Sequence, residues 1–157
     1  MLPIHRQEKP KNCALACLRM VLAALGTEVE ESTIEAQARM EANGTGIDEL
    51  ERLARLFGLV ADIQEVPVER LQELLARGNW AMTYIDRAVF DLNPDQRTRH
   101  TLRNAKIHVV IPTRISAESV YSHDPLFGRE MRRSLRLFRL AYEGLGNRCI
   151  VCSKAIE

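Results

Sequence analysis

The stretch Gln7-Glu8-Lys9-Pro10-Lys11-Asn12-Cys13-Ala14-Leu15-Ala16-Cys17-Leu18-Arg19-Met20 brings a helix start and a thiol to the same point in the chain. After it, Leu15, Leu18, Val21, Leu22 and Leu25 recur at helical spacing and Gly26 closes the run, so a core helix is expected over Cys13 to Leu25. Cys13 would then sit where exposed N–H groups and the positive end of the helix dipole favour an anion. A thiol in that position, beside an imidazolium, can have its pKa lowered from about 8.5 to roughly 3.5–7.5. The competing reading is an inert cysteine buried at the start of a core helix. Position alone does not separate the two, so the possible partners have to.

Outward from this segment the first half of the chain reads as helical. Glu31 to Glu41 is a second helix with Ser32 near its start, and Ile47 to Phe57 a third, striped by Ile47, Leu50, Leu53, Ala54 and Phe57 and stopped by Gly58. A fourth, Val68 to Ala76, follows Pro67. Leu59 to Val66 and Trp80 to Ile85 are strand-like, and Ile107 to Ile111 and Ser119 to His123 suggest a hairpin turning at Ser116. A helical segment near Met131 to Tyr142 and a strand from Arg148 to Ser153 close the chain, while polar Asp86 to Asn104 reads as a long surface loop. Helices first and an antiparallel sheet afterwards make an α+β fold, its N-terminal helical part packed on a C-terminal sheet. With no repeat and no Pro/Gly/Ser-rich linker, residues 1–157 read as a single domain.

A cysteine nucleophile needs a base within hydrogen-bond reach and a third group to orient that base. His108 opens the apolar run Val109-Val110-Ile111, and Asp124 ends the strand that follows. With a turn centred on Ser116, His108 and Asp124 face each other, and directly opposed residues have Cβ atoms about 4.5–5.5 Å apart. That register requires an odd turn; an even turn would bring His123 opposite His108 and point Asp124 the other way. Gln7 is a candidate amide donor which, with the Cys13 N–H, would form an oxyanion hole; such a donor is worth roughly 3–4 kcal/mol in the transition state.

Taken together, Gln7-x5-Cys13-x2-Ala16-Cys17-Leu18-x-Met20, then Gly44-Thr45-Gly46-Ile47 with Leu50, Leu53-Ala54 and Gly58-Leu59, then His108-Val109-Val110 and Asp124-Pro125-x2-Gly128 resemble, in the same order, the segments of the double-glycine leader peptidases. The resemblance implies a papain-like cysteine peptidase fold, Cys13 as nucleophile, His108 as base and then acid, Asp124 as its orienter and Gln7 as oxyanion donor, with no cofactor. It also implies a peptide or protein substrate, after the manner of a leader cut behind Gly-Gly, and a separate export transporter as possible partner. Where the family usually has Asp-Cys-Gly, this chain has Asn12-Cys13-Ala14, and Ala14 adds a methyl where backbone and substrate approach closely. Two alternatives keep the same site: a leader-binding domain without activity, and an acyl or amide transferase using the same thioester.

Composition narrows the rest. Hydrophobic residues make up 46% and charged residues 27%, with a net charge of +1, which points away from nucleic acid as partner. Arg129, Arg132, Arg133, Arg136 and Arg139, interleaved with Met131, Leu135, Leu137, Phe138 and Leu140, read as a solvated helix face. No apolar run reaches the ~18–20 residues of a membrane span, and the N-terminus lacks a secretory pattern, so no membrane insertion and a cytoplasmic location are expected. Cys149-x2-Cys152 has zinc-like spacing, but no second knuckle accompanies it and the alternation fits a core strand, so packing is favoured and no metal is expected. Cys17, Trp80 and Met82 read as core, His5 and His100 as surface, and His123 as the rival of His108 for a place beside Asp124.

Overall fold

In the computed structural model, which describes residues 1–91 and 106–156, six helices and six strands follow in chain order. They are α1 (Cys13–Ala24), α2 (Glu31–Gln37), α3 (Ile47–Leu56), β1 (Leu59–Glu65), α4 (Val68–Ala76), β2 (Trp80–Asp86), α5 (Ala88–Asp91), β3 (Ile107–Ile115), β4 (Ser119–Asp124), β5 (Arg129–Ser134), α6 (Leu135–Glu143) and β6 (Arg148–Lys154). The strands form one sheet in the order β1-β6-β2-β3-β4-β5, antiparallel at every pairing.

Apolar residues on both faces of the central strands give the sheet two cores. Along β2, Met82 and Tyr84 point into one core while Ala81 and Ile85 point into the other, the period-two alternation of a strand covered on both sides. The first core joins Leu15, Leu18 and Leu22 of α1 and Leu50 and Leu53 of α3 to Val109, Ile111, Ile150 and Cys152. The second joins Leu71 of α4 and Phe138 and Tyr142 of α6 to Val110 and Cys149. The mixed helix and antiparallel-sheet class expected from the sequence is therefore present, with helices on both faces of the sheet rather than the N-terminal group alone.

Three local expectations change. The second helix stops at Gln37, because Ala38 turns extended, Glu49 takes the Arg39 N–H and Glu41 pairs with Gly44 in a tight turn. The arginine-rich segment is not one helix: Arg129–Ser134 pairs with β4 as an edge strand, and the helix starts only where Ser134 caps the Leu137 N–H at 3.1 Å. Arginines along an exposed edge also discourage pairing with another chain. Of the expected loop, Asp86 closes β2 and Ala88–Asp91 is a short helix, while 92–104 lie outside the described residues.

Candidate active site

The chain enters α1 from an extended N-terminal segment. Asn12 precedes the helix without a side-chain cap, so the first turn presents its N–H groups at Cys13, which is half-buried. One turn on, the fully buried Cys17 donates its thiol to Val109 O at 3.4 Å and ties α1 to β3 one residue from His108. Burial pushes the Cys17 thiol well up, in keeping with a packing role.

His108 and Asp124 meet by a route the simple hairpin does not provide. The tip is even, with Ser116 bonding Ser119 across Ala117 and Glu118, and Ile115 pairs with Val120 and Arg114 with Tyr121. Continued unbroken, that register would turn His123 to the face of His108. Instead the register shifts between Pro112 and Arg114, leaving Thr113 as an extra residue, and Ile111 pairs with His123. Asp124 therefore falls beside Val110, on the face of His108 and diagonal to it. The expected odd turn is corrected to an even turn plus a bulge.

The resulting contact is close: His108 Nε2 lies 2.7 Å from Asp124 Oδ1, and both residues are buried. Asp124 Oδ1 also accepts the Leu126 N–H at 3.0 Å, which fixes the carboxylate. With Nε2 facing Asp124, Nδ1 remains for the thiol of Cys13. Burial works to lower the His108 pKa, but the hydrogen bonds to Asp124 and Cys13 and their charges outweigh it, and the pKa rises to about 9. The ring is thus an imidazolium at neutral pH.

Gln7 lies in the N-terminal segment, whose backbone is pinned by Gln7 N–H to Pro125 O at 2.8 Å, directly after Asp124. Its Nε2 donates to Lys9 O and Pro10 O, both at 2.9 Å, and so braces the turn leading to Cys13. Two glycines make room for the segment. A Cβ on Gly128 (φ +63) would stand 2.7 Å from Arg6 Cβ, and one on Gly44 (φ +111) 2.9 Å from Lys11 O. A cavity of about 720 Å³, lined by Gly44, Thr45, Tyr84, Ile107, Leu145 and Arg148 among others, opens beside these elements, with Ile107 adjoining His108.

The remaining candidates lie elsewhere. His123 hydrogen-bonds Pro3 O at 3.2 Å through Nδ1 and points Nε2 towards Glu130, and burial lowers its pKa. His5 is half-buried, its pKa lowered by burial and then by Arg19, and His100 lies outside the described residues. Cys149 and Cys152 are both buried, on opposite faces of β6 in different cores, with thiols pushed up to about 11 and 12 by burial. Sequence reasoning missed Glu31. A glutamate in a helix first turn reads as dipole-favoured and solvated, yet this one is wholly buried against Asn12 and Glu8.

Among solved structures, the fold is similar to a protein described as a C39-like peptidase from Bacillus anthracis (TM-score 0.75, 18% identity, covering 99% of this chain and 96% of that one). It is also similar to a double glycine motif protease from an AMS/PCAT transporter, in complex with the leader peptide (TM-score 0.74, 18% identity, 99% and 93% covered). A third match is the peptidase domain of Streptococcus ComA, a bifunctional ABC transporter of a quorum-sensing pathway (TM-score 0.72, 12% identity, 99% and 100% covered). No curated protein matches the sequence. Among the described residues, no helix is long and apolar enough to cross a membrane. The model of the peptidase C39 family matches residues 1–84, more than half of the 157 residues, and the chain belongs to that family.

Proposed function

We propose that this protein is a cysteine peptidase of the double-glycine type, with Cys13 as nucleophile, His108 as general acid and base, Asp124 as the group that orients it, and Gln7 as oxyanion donor. The observation that carries this reading is the buried His108 ring held 2.7 Å from Asp124, with its pKa raised by Asp124 and by Cys13 at the start of α1.

The thiolate of Cys13 attacks a peptide carbonyl, forming the C–S bond, and the oxyanion is met by the Cys13 N–H and by Gln7, whose amide releases Lys9 O or Pro10 O to do so. The imidazolium gives its proton to the leaving amine as the C–N bond breaks. Water then attacks the thioester and passes a proton to the same ring, freeing the acid and restoring the thiolate beside the imidazolium. Asp124 keeps its nitrogen through both steps and so holds the other towards sulphur.

The reading of the substrate class is supported by the company the fold keeps: one neighbour is a double glycine motif protease in complex with a leader peptide, and another a transporter's peptidase domain. A peptide with small residues before the cut, delivered in the cytoplasm with a separate export transporter as partner, is the corresponding reading here. It is tested by incubating the purified protein with peptides bearing Gly-Gly or bulkier residues before the scissile bond and weighing the products. Cleavage behind Gly-Gly that is lost in Cys13→Ala is expected. Intact peptide together with a Cys13 that alkylates no faster than a free thiol would sink the proposal in favour of peptide binding alone.

A further inference from the structure

The turn that delivers Cys13 is gripped at both ends by one buried carboxylate. Glu31, first residue of α2, is 0% exposed, and its Oε2 accepts the Glu8 N–H at 2.9 Å and Asn12 Nδ2 at 3.1 Å. Asn12, itself only 2% exposed, is the residue immediately before the thiol, and its own N–H closes the turn onto Lys9 O at 3.1 Å. We propose that Glu31 is a positioning residue for Cys13, clamping residues 8–12 so that the thiol is presented in one orientation towards His108. The inference rests on the reading of Cys13 as nucleophile.

A carboxylate is a costly choice for this place. Burial pushes its pKa up, and the bonds from Glu8 and Asn12 only partly offset that. The cation within reach, Arg19, turns its guanidinium to Glu30 at 3.1 Å and Glu8 at 3.7 Å, and Glu31 Oε1 has no hydrogen-bond partner among the described residues. What the charge provides is a stronger acceptor for two donors at once. Both donors meet the same oxygen, so an amide carbonyl in its place would accept both more weakly, with its NH₂ where the unpartnered Oε1 lies. The pairing also accounts for Asn12: an aspartate there would set a second carboxylate against Glu31 and lose the donor.

The experiment is the rate of Cys13 alkylation by limiting iodoacetamide from pH 5 to 9, mapped by mass spectrometry, with thermal melts alongside. Variants are Glu31→Ala, Glu31→Gln, Asn12→Asp and the exchange that combines Asn12→Asp with Glu31→Gln, with His108→Ala as control. Glu8 and Lys9 from the N-terminal segment and Arg19 and Cys17 from α1 also face Glu31, so each rate is taken relative to wild type at the same pH. Asn12→Asp is expected to slow Cys13 about tenfold at neutral pH, the size of one lost buried hydrogen bond to a charged group, with the deficit shrinking towards pH 5 as a carboxyl is protonated. The exchange restores part of the rate, since it removes the repulsion between two carboxylates and puts an amide donor opposite the carboxylate introduced at position 12. A role in folding alone would follow the melts instead. If the exchange reacts no faster than Asn12→Asp, or if Glu31→Gln and Asn12→Asp both match wild type, the positioning role is overturned while a His108-dependent wild-type rate keeps the peptidase reading. If wild type reacts no faster than His108→Ala, both fall.

Discussion

At the scale of single residues, the site is governed by where one proton rests. His108 has a pKa near 9 in the fold against 6.5 when free, because partners that favour the charged ring outweigh its burial. The folded state therefore binds a proton that the unfolded chain releases between these values. The stabilisation is whole below pH 6.5, declines above it and is gone beyond about 9. Urea unfolding of wild type and His108→Gln at pH 6 and pH 9.5 should show a gap that narrows by up to roughly 3 kcal/mol as pH rises, at about 1.4 kcal/mol per pKa unit. A gap that stays constant would mean that the fold does not shift the pKa of the ring. The members proposed for this candidate site could be singled out in the sequence: Cys13 by its place before an apolar helix, His108 and Asp124 by their places at strand ends. Glu31 was not, because a carboxylate in a first turn looks the same in sequence whether it meets water or a buried asparagine.

At the scale of elements, the helices were legible and the arginine-rich strand was not. Apolar spacing and glycine stops mark α1 and α3 to within a residue or so of their ends, and Pro67 marks the start of α4. In Arg129–Ser134 hardly any apolar residue signals a buried face; pairing with β4 makes it a strand, and that is a tertiary decision. The N-terminal segment has no regular structure, yet Gly128 and Gly44 shape a bed for it. In Gly128→Ala the positive φ alone should cost more than about 1 kcal/mol. The contact with Arg6 should displace the segment as well. A lowered melting temperature accompanied by slower Cys13 alkylation is the expected result; a lowered melt with unchanged alkylation would show that this bed does not matter to the thiol.

At the scale of the whole molecule, the sheet carries one core on each face, and the candidate site draws on both halves of the chain. Tyr142, fully buried in the second core, donates to Val66 O at 2.7 Å and lies 2.9 Å from Asn147 O, which ties α6 to the ends of β1 and β6. Tyr142→Phe leaves Val66 O without the hydroxyl donor, while Asn147 O keeps the Val66 N–H, and should cost about 1–3 kcal/mol, read by denaturant titration. If the two cores melt as one unit, far-UV and near-UV signals will move together in that variant. The α+β class could be read from the order of helical and strand-like runs, but the helices on the second face could not, since α4 and α6 fix their sides only by packing. The bulge at Thr113 has a bearing on how such a chain can evolve. A lone insertion or deletion in the hairpin exchanges Asp124 for His123 beside the imidazole, so length can change there only in twos, or by trading the bulge against a residue at the tip.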